Sequence, residues 1–299
     1  MAGAPLTLEW LGCATFRVRV AGLTLFFDTY VDRVPGTGSS GVSAVGVSEA
    51  DFVFLSHAHF DHMLGADVIA ARTGASVIGS YECARLLRAN GVPDAQVLPA
   101  SGGETVDCGR GVRVRVFPSL HSCLFAGSTP DSGAACIGDL EVSHQLRRER
   151  VAALFNLIPA LLPQVAGYFA TADAHSSRDD GGPLTYLLET PEGSVLITGS
   201  TGYWTGIVER LHPDVAVLAT AGRPNVDGEP YQGSLADYLV AQVELLRPAK
   251  VVLCHQDVLL PDVLPALDVG PAVAALRDRA PAAAYVEMAY GEPRPVLSR

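Results

Sequence analysis

The chain has 299 residues, of which 48% are hydrophobic and 18% are charged, a composition typical of a globular protein rather than a disordered one. Acidic residues outnumber basic residues by 32 to 21, and the resulting formal charge of -11 disfavours nucleic acid as a partner. The six cysteines form no C-x-x-C pair, and we expect neither a signal peptide nor a membrane span, which together favour a cytoplasmic protein with reduced thiols.

The first third of the chain is predicted to be rich in strands. Residues 6–10, 14–20 and 23–27 are β-rich runs, and Ala21-Gly22 is predicted to form a tight hairpin turn between the last two. After a loop rich in Gly and Ser at 35–46, the apolar run at 52–55 indicates a buried strand. Residues 63–72 then favour a helix because they contain Ala, Leu and Ile without a β-branched run.

The rest of the chain alternates strands and helices, with one interruption. Strands are predicted at 76–78, 111–117, 184–189, 194–198, 215–219 and 251–254, and helices at 82–89 and 235–246. The segment at about 123–177 carries a predicted helix at 142–154 and a proline-interrupted apolar stretch at 157–169, which indicates an insertion. We therefore predict one domain over 1–299, an α/β (α+β) four-layer αββα sandwich of two mixed β-sheets flanked by helices, with a helical apolar insertion.

Four metal-competent side chains lie within six residues, directly after the predicted strand at 52–55: His57, His59, Asp61 and His62. Residues two apart on an extended segment project to one side, so His57 and His59 are predicted to share one ion while Asp61 and His62 face a second. These ligand types fit zinc, which we favour, as well as manganese or iron. A polar loop that happens to be rich in histidine is the weaker alternative, because three of the eight histidines fall here.

Further candidates follow from the rule that ligands collect at the carboxyl ends of strands. Asp28, His121 and His255 each follow a predicted strand. His144, in a charged helical segment, and His212, in a turn, are instead expected to be solvated surface residues. His175, in a polar loop at the end of the apolar stretch, is a candidate to contact substrate or to move protons.

The H-x-H-x-D-H pattern after a strand, and the order of the other candidates along the chain, resemble the metallo-β-lactamase superfamily of metal-dependent hydrolases. The opening residues 8–28, with W-L-G-C-A-T-F, resemble the branch that contains ascorbate-6-phosphate lactonase-like proteins. The resemblance implies one metal site formed by His57, His59 and His121, and another formed by Asp61, His62 and His255. It also implies that Asp28 orients the ligands.

The chain departs from that family at Gly199-Ser200-Thr201-Gly202, where the family usually supplies a bridging aspartate. Ser200 is either a turn residue or a group that holds a metal or a water. Because a neutral hydroxyl is a weak ligand, we expect one or two divalent ions, with the second bound less tightly. Cys123 and Cys254 adjoin candidate histidines, and we expect them to be small core residues rather than accessory ligands.

The predicted function is hydrolysis of an ester, lactone or phosphodiester bond in a small molecule by a metal-activated water. Asp61 is predicted to orient this water and accept its proton, and His175 to protonate the leaving group. Two alternatives stay open: a nuclease of the same superfamily, which the acidic charge disfavours, and a non-catalytic metal-binding or sensor protein, which only Ser200 favours.

The apolar residues of the insertion are open to two interpretations. They form a lid that favours a lipophilic substrate, or they pack as core or make a contact in a homo-oligomer, which we favour slightly. These residues are Leu157, Ile158, Leu161, Leu162, Val165, Tyr168 and Phe169.

Overall fold

The fold is described from a computed structural model, over residues 5–126 and 135–297. Within these ranges the strands are β1 (Thr7–Gly12), β2 (Thr15–Val20), β3 (Leu23–Phe27), β4 (Phe52–Phe54), β5 (Ser76–Gly79), β6 (Val97–Pro99), β7 (Thr105–Gly109), β8 (Val112–Pro118), β9 (Ala135–Cys136), β10 (Leu184–Thr190), β11 (Gly193–Thr198), β12 (Gly202–Tyr203), β13 (Val215–Ala219), β14 (Asn225–Val226), β15 (Glu229–Pro230), β16 (Gly233–Ser234), β17 (Lys250–Cys254), β18 (Ala284–Tyr285) and β19 (Arg294–Pro295). The helices are α1 (Phe60–Met63), α2 (Ala66–Thr73), α3 (Tyr81–Ala89), α4 (His144–Leu161), α5 (Ala166–His175), α6 (Thr205–Val208), α7 (Leu235–Leu246) and α8 (Gly270–Arg279).

Two mixed sheets of seven strands each account for most strands in the described part of the chain. The first has the order β19-β1-β2-β3-β4-β5-β6, and the second has the order β18-β17-β13-β11-β10-β8-β7. Two small sheets, β12-β14-β15 and β16-β9, lie beside them. The architecture is the predicted sandwich of two mixed sheets with helices.

The main hydrophobic core contains side chains from strands of both large sheets. Strand β8 shows how the sequence produces this arrangement: Val112, Val114 and Val116 are buried, while Arg113 between them is exposed. A second core cluster joins α2 and α3 to the first sheet, and a third joins α7 and α8 to the second sheet. Each large sheet is therefore covered by helices on its outer face.

The hairpin between β2 and β3 forms where the sequence predicts it. Val20 pairs with Leu23, and the two residues between them, Ala21 and Gly22, have positive φ angles of 50° and 76°. Two consecutive positive φ angles are what a two-residue turn needs to match the twist of its strands. This turn fixes the register of the strands that lead to Asp28.

The structure corrects several predicted bounds. The helix predicted at 63–72 is two helices, α1 and α2, because Gly65 at the N-terminus of α2 has a φ of 95° that breaks the helix. The helix predicted at 142–154 continues to Leu161, so α4 contains part of the stretch that was predicted as a separate apolar segment. Of the predicted insertion at 123–177, residues 127–134 lie outside the described part of the chain.

Among the described residues, the structure has no helix that combines the length and the apolar character needed to cross a bilayer.

Candidate metal centre

The candidate site lies where the carboxyl ends of strands from both sheets meet. In the first sheet, β1 and β3 run in the same direction because each is antiparallel to β2, and β4 is parallel to β3. In the second sheet, β8 and β11 run in the same direction because each is antiparallel to β10, and β17 is parallel to β13, which is parallel to β11. The loops after these strands carry Cys13, Asp28, His57, His121, Ser200 and His255.

The structure gathers His57, His59 and His121 into one group. One ring nitrogen from each lies within 4.8 Å of those of the other two. The ring centroids of His57 and His59 are 4.8 Å apart, and those of His59 and His121 are 4.6 Å apart. This grouping is the one that the resemblance implied for one metal site, and we call it the three-histidine group.

A second group contains Asp61, His62 and His255 together with Cys13, a residue that the sequence analysis did not select. The Oδ2 atom of Asp61 lies 3.3 Å from Nε2 of His62 and 3.2 Å from Nε2 of His255. We call these four residues the Cys13 group. The two groups adjoin, since the ring centroids of His57 and His62 are 3.8 Å apart.

Asp28, which the resemblance implied would orient the ligands, contacts the His62 ring at Nδ1, the nitrogen that does not face Asp61. Its Oδ2 atom lies 2.8 Å from Nδ1 of His62, and the same carboxylate accepts hydrogen bonds from the backbone N–H and the hydroxyl of Ser56. Gly199 leaves room for this network, because a Cβ atom at that position would lie only 2.1 Å from the Ser56 hydroxyl oxygen. With Nδ1 of His62 fixed in this way, Nε2 points to the Cys13 group.

Burial keeps the three-histidine group neutral. Burial, with the nearby His62 and His121, holds the pKa of the His57 imidazole well below its ordinary value. Burial and the neighbouring His121 lower the pKa of His59 to about 3. A metal ion binds the neutral form of imidazole, so both rings are in the protonation state that coordination requires.

The Cys13 group is electrostatically different. Burial lowers the pKa of His62, but the carboxylates of Asp61 and Asp28 outweigh burial and raise this pKa to about 10. Burial raises the pKa of Asp61, yet His62 and His255 outweigh burial and leave this pKa well below its ordinary value. A buried carboxylate therefore stays charged at the centre of the group.

One buried atom argues directly that these residues suit a metal ion. Nε2 of His57 is buried and has no hydrogen-bond partner among the described residues, although Nδ1 of the same ring lies 3.0 Å from the Ser56 hydroxyl. Leaving a buried polar atom without a partner costs about 1–3 kcal/mol. Coordination of a divalent cation by this nitrogen would offset that cost, so the donor set fits a metal.

Ser200 and Asn225 hold the loop that carries His121. The Ser200 hydroxyl accepts a hydrogen bond of 3.1 Å from the backbone N–H of Ser122, and the Asn225 amide donates one of 2.8 Å to the carbonyl of His121. The Nδ1 atom of His121 lies 2.9 Å from the Ser122 carbonyl, which leaves Nε2 for the three-histidine group. In this structure the hydroxyl of Ser200 thus supports the loop.

His175 is not brought to either group. It ends α5, where its Nδ1 atom lies 2.8 Å from Oδ2 of Asp67 in α2, and it is absent from the residues that line the cavity beside the metal-competent groups. This contact with Asp67 directs the imidazole toward α2. His144 and His212, expected at the surface, are exposed.

A largely apolar cavity opens beside both groups. His59, His121, Asp61 and His255 form one part of its lining, together with Ser200. Much of the remaining wall is contributed by α4, by the loop after β8 and by the segment after β17, through Leu124, Leu154, Phe155, Leu259, Val263 and Leu267. Polar groups at one end of an apolar cavity are typical of a small-molecule site.

The apolar residues of the predicted insertion divide between core and surface. Leu162, Val165 and Phe169 are buried in a cluster with Phe60 and Leu260, whereas Leu157 and Leu161 are about half exposed. Different residues of α4 reach the site: the ring of Phe155 lies 5.4 Å from that of His59, centroid to centroid. The side chain of Ile158 lies outside the described residues.

Comparison with known proteins agrees with this geometry. The β-lactamase superfamily domain matches residues 25–138. A protein of Pyrobaculum calidifontis named UPF0173 metal-dependent hydrolase is 30% identical over 164 residues, a match that covers 53% of this chain and 71% of that protein. The chain belongs to the UPF0173 metal-dependent hydrolase family. The metallo-β-lactamase resemblance and the enzyme class, a metallo-hydrolase, are thereby confirmed.

Solved structures similar to this UPF0173 member share its fold. A metallo hydrolase of the archaeon Ignicoccus hospitalis matches with a TM-score of 0.63 and 20% identity, over 97% of this chain and 98% of that one. The diiron β-hydroxylase CmlA of Streptomyces venezuelae matches with a TM-score of 0.58 and 17% identity, over 99% of this chain and 55% of that one. Because a hydroxylase and a hydrolase share this fold, the reaction has to be argued from the site.

Proposed function

We propose that this protein hydrolyses an ester, lactone or phosphodiester bond in a small and partly lipophilic molecule. The observation that carries the proposal is the opening of two adjoining groups of metal-competent side chains into one apolar cavity. Lactones are included because the opening residues 8–28 resemble the lactonase-like branch. The segment at 123–177 is proposed as an insertion into a single domain, with α4 forming one wall of the cavity.

The two groups would hold one or two divalent ions, with zinc favoured by the imidazole ligands and manganese or iron as alternatives. A divalent ion supplies a water with a pKa lowered to about 7 and polarises a carbonyl or phosphoryl oxygen. His57, His59 and His121 would hold one ion, and Asp61, His62 and His255 the other.

The protein's own residues supply orientation and exclusion of bulk water. The charged carboxylate of Asp61 lines the cavity, and its proposed role is to orient a water and to accept its proton. Because the pKa of Asp61 is lowered, it is a weak base, and orientation of the water is the larger part of this role. Asp28 keeps His62 in one orientation. The apolar wall formed by Leu154, Phe155 and Leu259 would bind the apolar part of a substrate and exclude bulk water from the reacting bond.

A nuclease of the same superfamily is the weaker candidate. The formal charge of -11 repels a polyanion, and the wall of the cavity beside both groups is apolar. A second cavity, which His59 and His121 also line, carries both basic and acidic side chains rather than a basic surface: Arg147, Arg148, Arg178, Asp179 and Asp180. A small uncharged or singly charged substrate agrees better with these observations.

Turnover of generic esters, lactones and phosphodiesters by metal-free protein, with and without added zinc or manganese, tests the proposal. We expect metal-dependent hydrolysis, and Asp61→Ala should lower kcat by at least about 100-fold, the lower end of what positioned acid–base groups contribute. The matched control is Asp94→Asn, which removes an exposed carboxylate paired with Arg88 on the surface and should leave kcat unchanged. Equal kcat in Asp61→Ala and the wild type would refute the role of Asp61.

A further inference from the structure

Cys13 is the one thiol that the structure places in a metal-competent group, within the described residues. Its side chain is fully buried, and Sγ lies 3.8 Å from Oδ2 of Asp61. The ligand atoms of Cys13, Asp61, His62 and His255 all lie within 4.8 Å of one another. Cys254, which the sequence places beside His255, is instead buried in the hydrophobic core between the sheets.

The backbone of Cys13 is fixed from three directions. Its N–H donates to the carboxylate of Asp257, and its carbonyl accepts hydrogen bonds from the Trp10 indole at 2.8 Å and from the backbone N–H of His255 at 2.9 Å. The last contact ties Cys13 to another member of its group. The backbone of Cys13 therefore has a defined position relative to His255, and its side chain belongs both to the metal-competent group and to an apolar cluster that includes Tyr30 and Phe60.

The local backbone is also unusual. Cys13 has a φ of 50°, and two other residues of the site, Asp28 and His255, have φ angles of 55° and 63°. Left-handed conformations are uncommon for residues other than glycine and occur frequently at functional sites. A simple turn after β1 would be served better by glycine or asparagine, so the turn geometry does not explain a cysteine here.

We propose that the Cys13 thiolate is a ligand of the ion held by Asp61, His62 and His255, and that it completes a four-ligand site. This inference rests on the proposed metal-dependent function. Asp61 is the only carboxylate in either group, so it neutralises one of the two charges of a divalent cation. A thiolate at Cys13 would neutralise the other. Four protein ligands of Cys, His and Asp type fit tetrahedral zinc, and a thiolate favours zinc over manganese.

The number of protein ligands at each site assigns different roles to the two groups. Sites with four protein ligands are closed, whereas catalytic zinc sites have three protein ligands and keep a further position for water or substrate. The Cys13 group is then the anchoring site, and the three-histidine group is the site that faces the substrate. Members of both groups line the cavity, so the number of protein ligands, not the lining, distinguishes the two roles.

Spectroscopy of the reconstituted full-length protein tests the thiolate without reference to turnover. Metal-free protein titrated with cobalt(II) should develop a near-ultraviolet band from thiolate-to-cobalt charge transfer, and zinc-loaded protein should show a sulfur neighbour at about 2.3 Å by X-ray absorption. Cys13→Ser should abolish both signals and weaken zinc binding by at least about tenfold. Cys254→Ala, the matched control, should keep both signals and the zinc affinity.

The outcomes separate this inference from the proposed function. Cobalt or zinc bound by nitrogen and oxygen alone in the wild type overturns the thiolate ligand and leaves metal-dependent hydrolysis untouched. Failure to bind either ion overturns both. Should Cys13→Ser not fold, the sulfur signal in the wild type and in Cys254→Ala decides the question alone.

Discussion

Asp28 illustrates how one residue connects the fold to the chemistry of the site. It follows β3, its carboxylate contacts His62 and Ser56, and it is 2% exposed. We expect Asp28→Asn to weaken zinc binding by about 10–100-fold, the usual cost of losing a group that orients a metal-binding histidine. Zinc affinity measured by competition with a chromophoric chelator checks the prediction.

Ser56→Ala is a milder change in the same hydrogen-bond network, and its zinc affinity is compared with that of Asp28→Asn. It removes the Ser56 hydroxyl contacts to Asp28 and to the rings of His57 and His62, but it leaves the Asp28 carboxylate on His62. The loss of affinity should be smaller than for Asp28→Asn. An equal or larger loss would mean that the hydroxyl, rather than the carboxylate, orients the ring.

The residue types of the site could largely be predicted from the sequence, but one member could not. His57, His59, Asp61 and His62 are close in sequence, so their spacing alone predicts a cluster. Cys13 lies in an apolar-looking segment, and only the pairing of β1 and β3 with β2 brings it to the edge that carries Asp28. The rule that selected Asp28, a chemically competent residue directly after a strand, did not reach Cys13, because the strand predicted at 6–10 stops short of the observed end of β1 at Gly12.

At the scale of elements, α4 positions side chains for two different purposes. Phe155 faces the cavity and contacts His59, whereas Leu157, two residues later on the same helix, is 50% exposed. We expect Phe155→Ala to lower kcat/KM for a long-chain ester by about tenfold, because an apolar contact with the substrate is lost. Kinetics on a short-chain and a long-chain ester, with a smaller effect on the short one, check this expectation.

Leu157→Ala is the matched control for Phe155→Ala, because it truncates an apolar side chain of the same helix outside the cavity. It should leave both kinetic constants unchanged. Equal losses in the two variants would show that the effect comes from destabilising α4 rather than from the wall of the cavity.

The elements that the sequence failed to predict have three different physical causes. Strand β6 has three residues and β19 has two, too few for a periodic pattern to emerge. Strand β7 lies at the edge of its sheet with Thr105 and Asp107 exposed, so its composition resembles that of a loop. Helix α8 begins with Gly270 and Pro271, which indicate a turn when tertiary contacts are unknown.

On the scale of the whole molecule, the site depends on both sheets. Cys13, Asp28 and the loop with His57 to His62 follow strands of the first sheet. His121 and His255 follow strands of the second sheet. A bound ion therefore joins loops from the two sheets. Any agent that binds only the folded state stabilises it, by about 2.7 kcal/mol at one hundred times the dissociation constant.

The two groups should not retain their ions equally, and this difference is measurable on the intact protein. The Cys13 group offers two anionic ligands in four, whereas the three-histidine group offers only neutral imidazoles. We expect elemental analysis of protein purified without added metal to find about one equivalent, and added zinc to restore the second. Cys13→Ser should lower the retained amount, whereas His59→Gln should not. Two full equivalents of metal in the untreated wild type would contradict the difference in affinity between the groups. Loss of the retained ion in His59→Gln would show that this ion is bound by the three-histidine group instead.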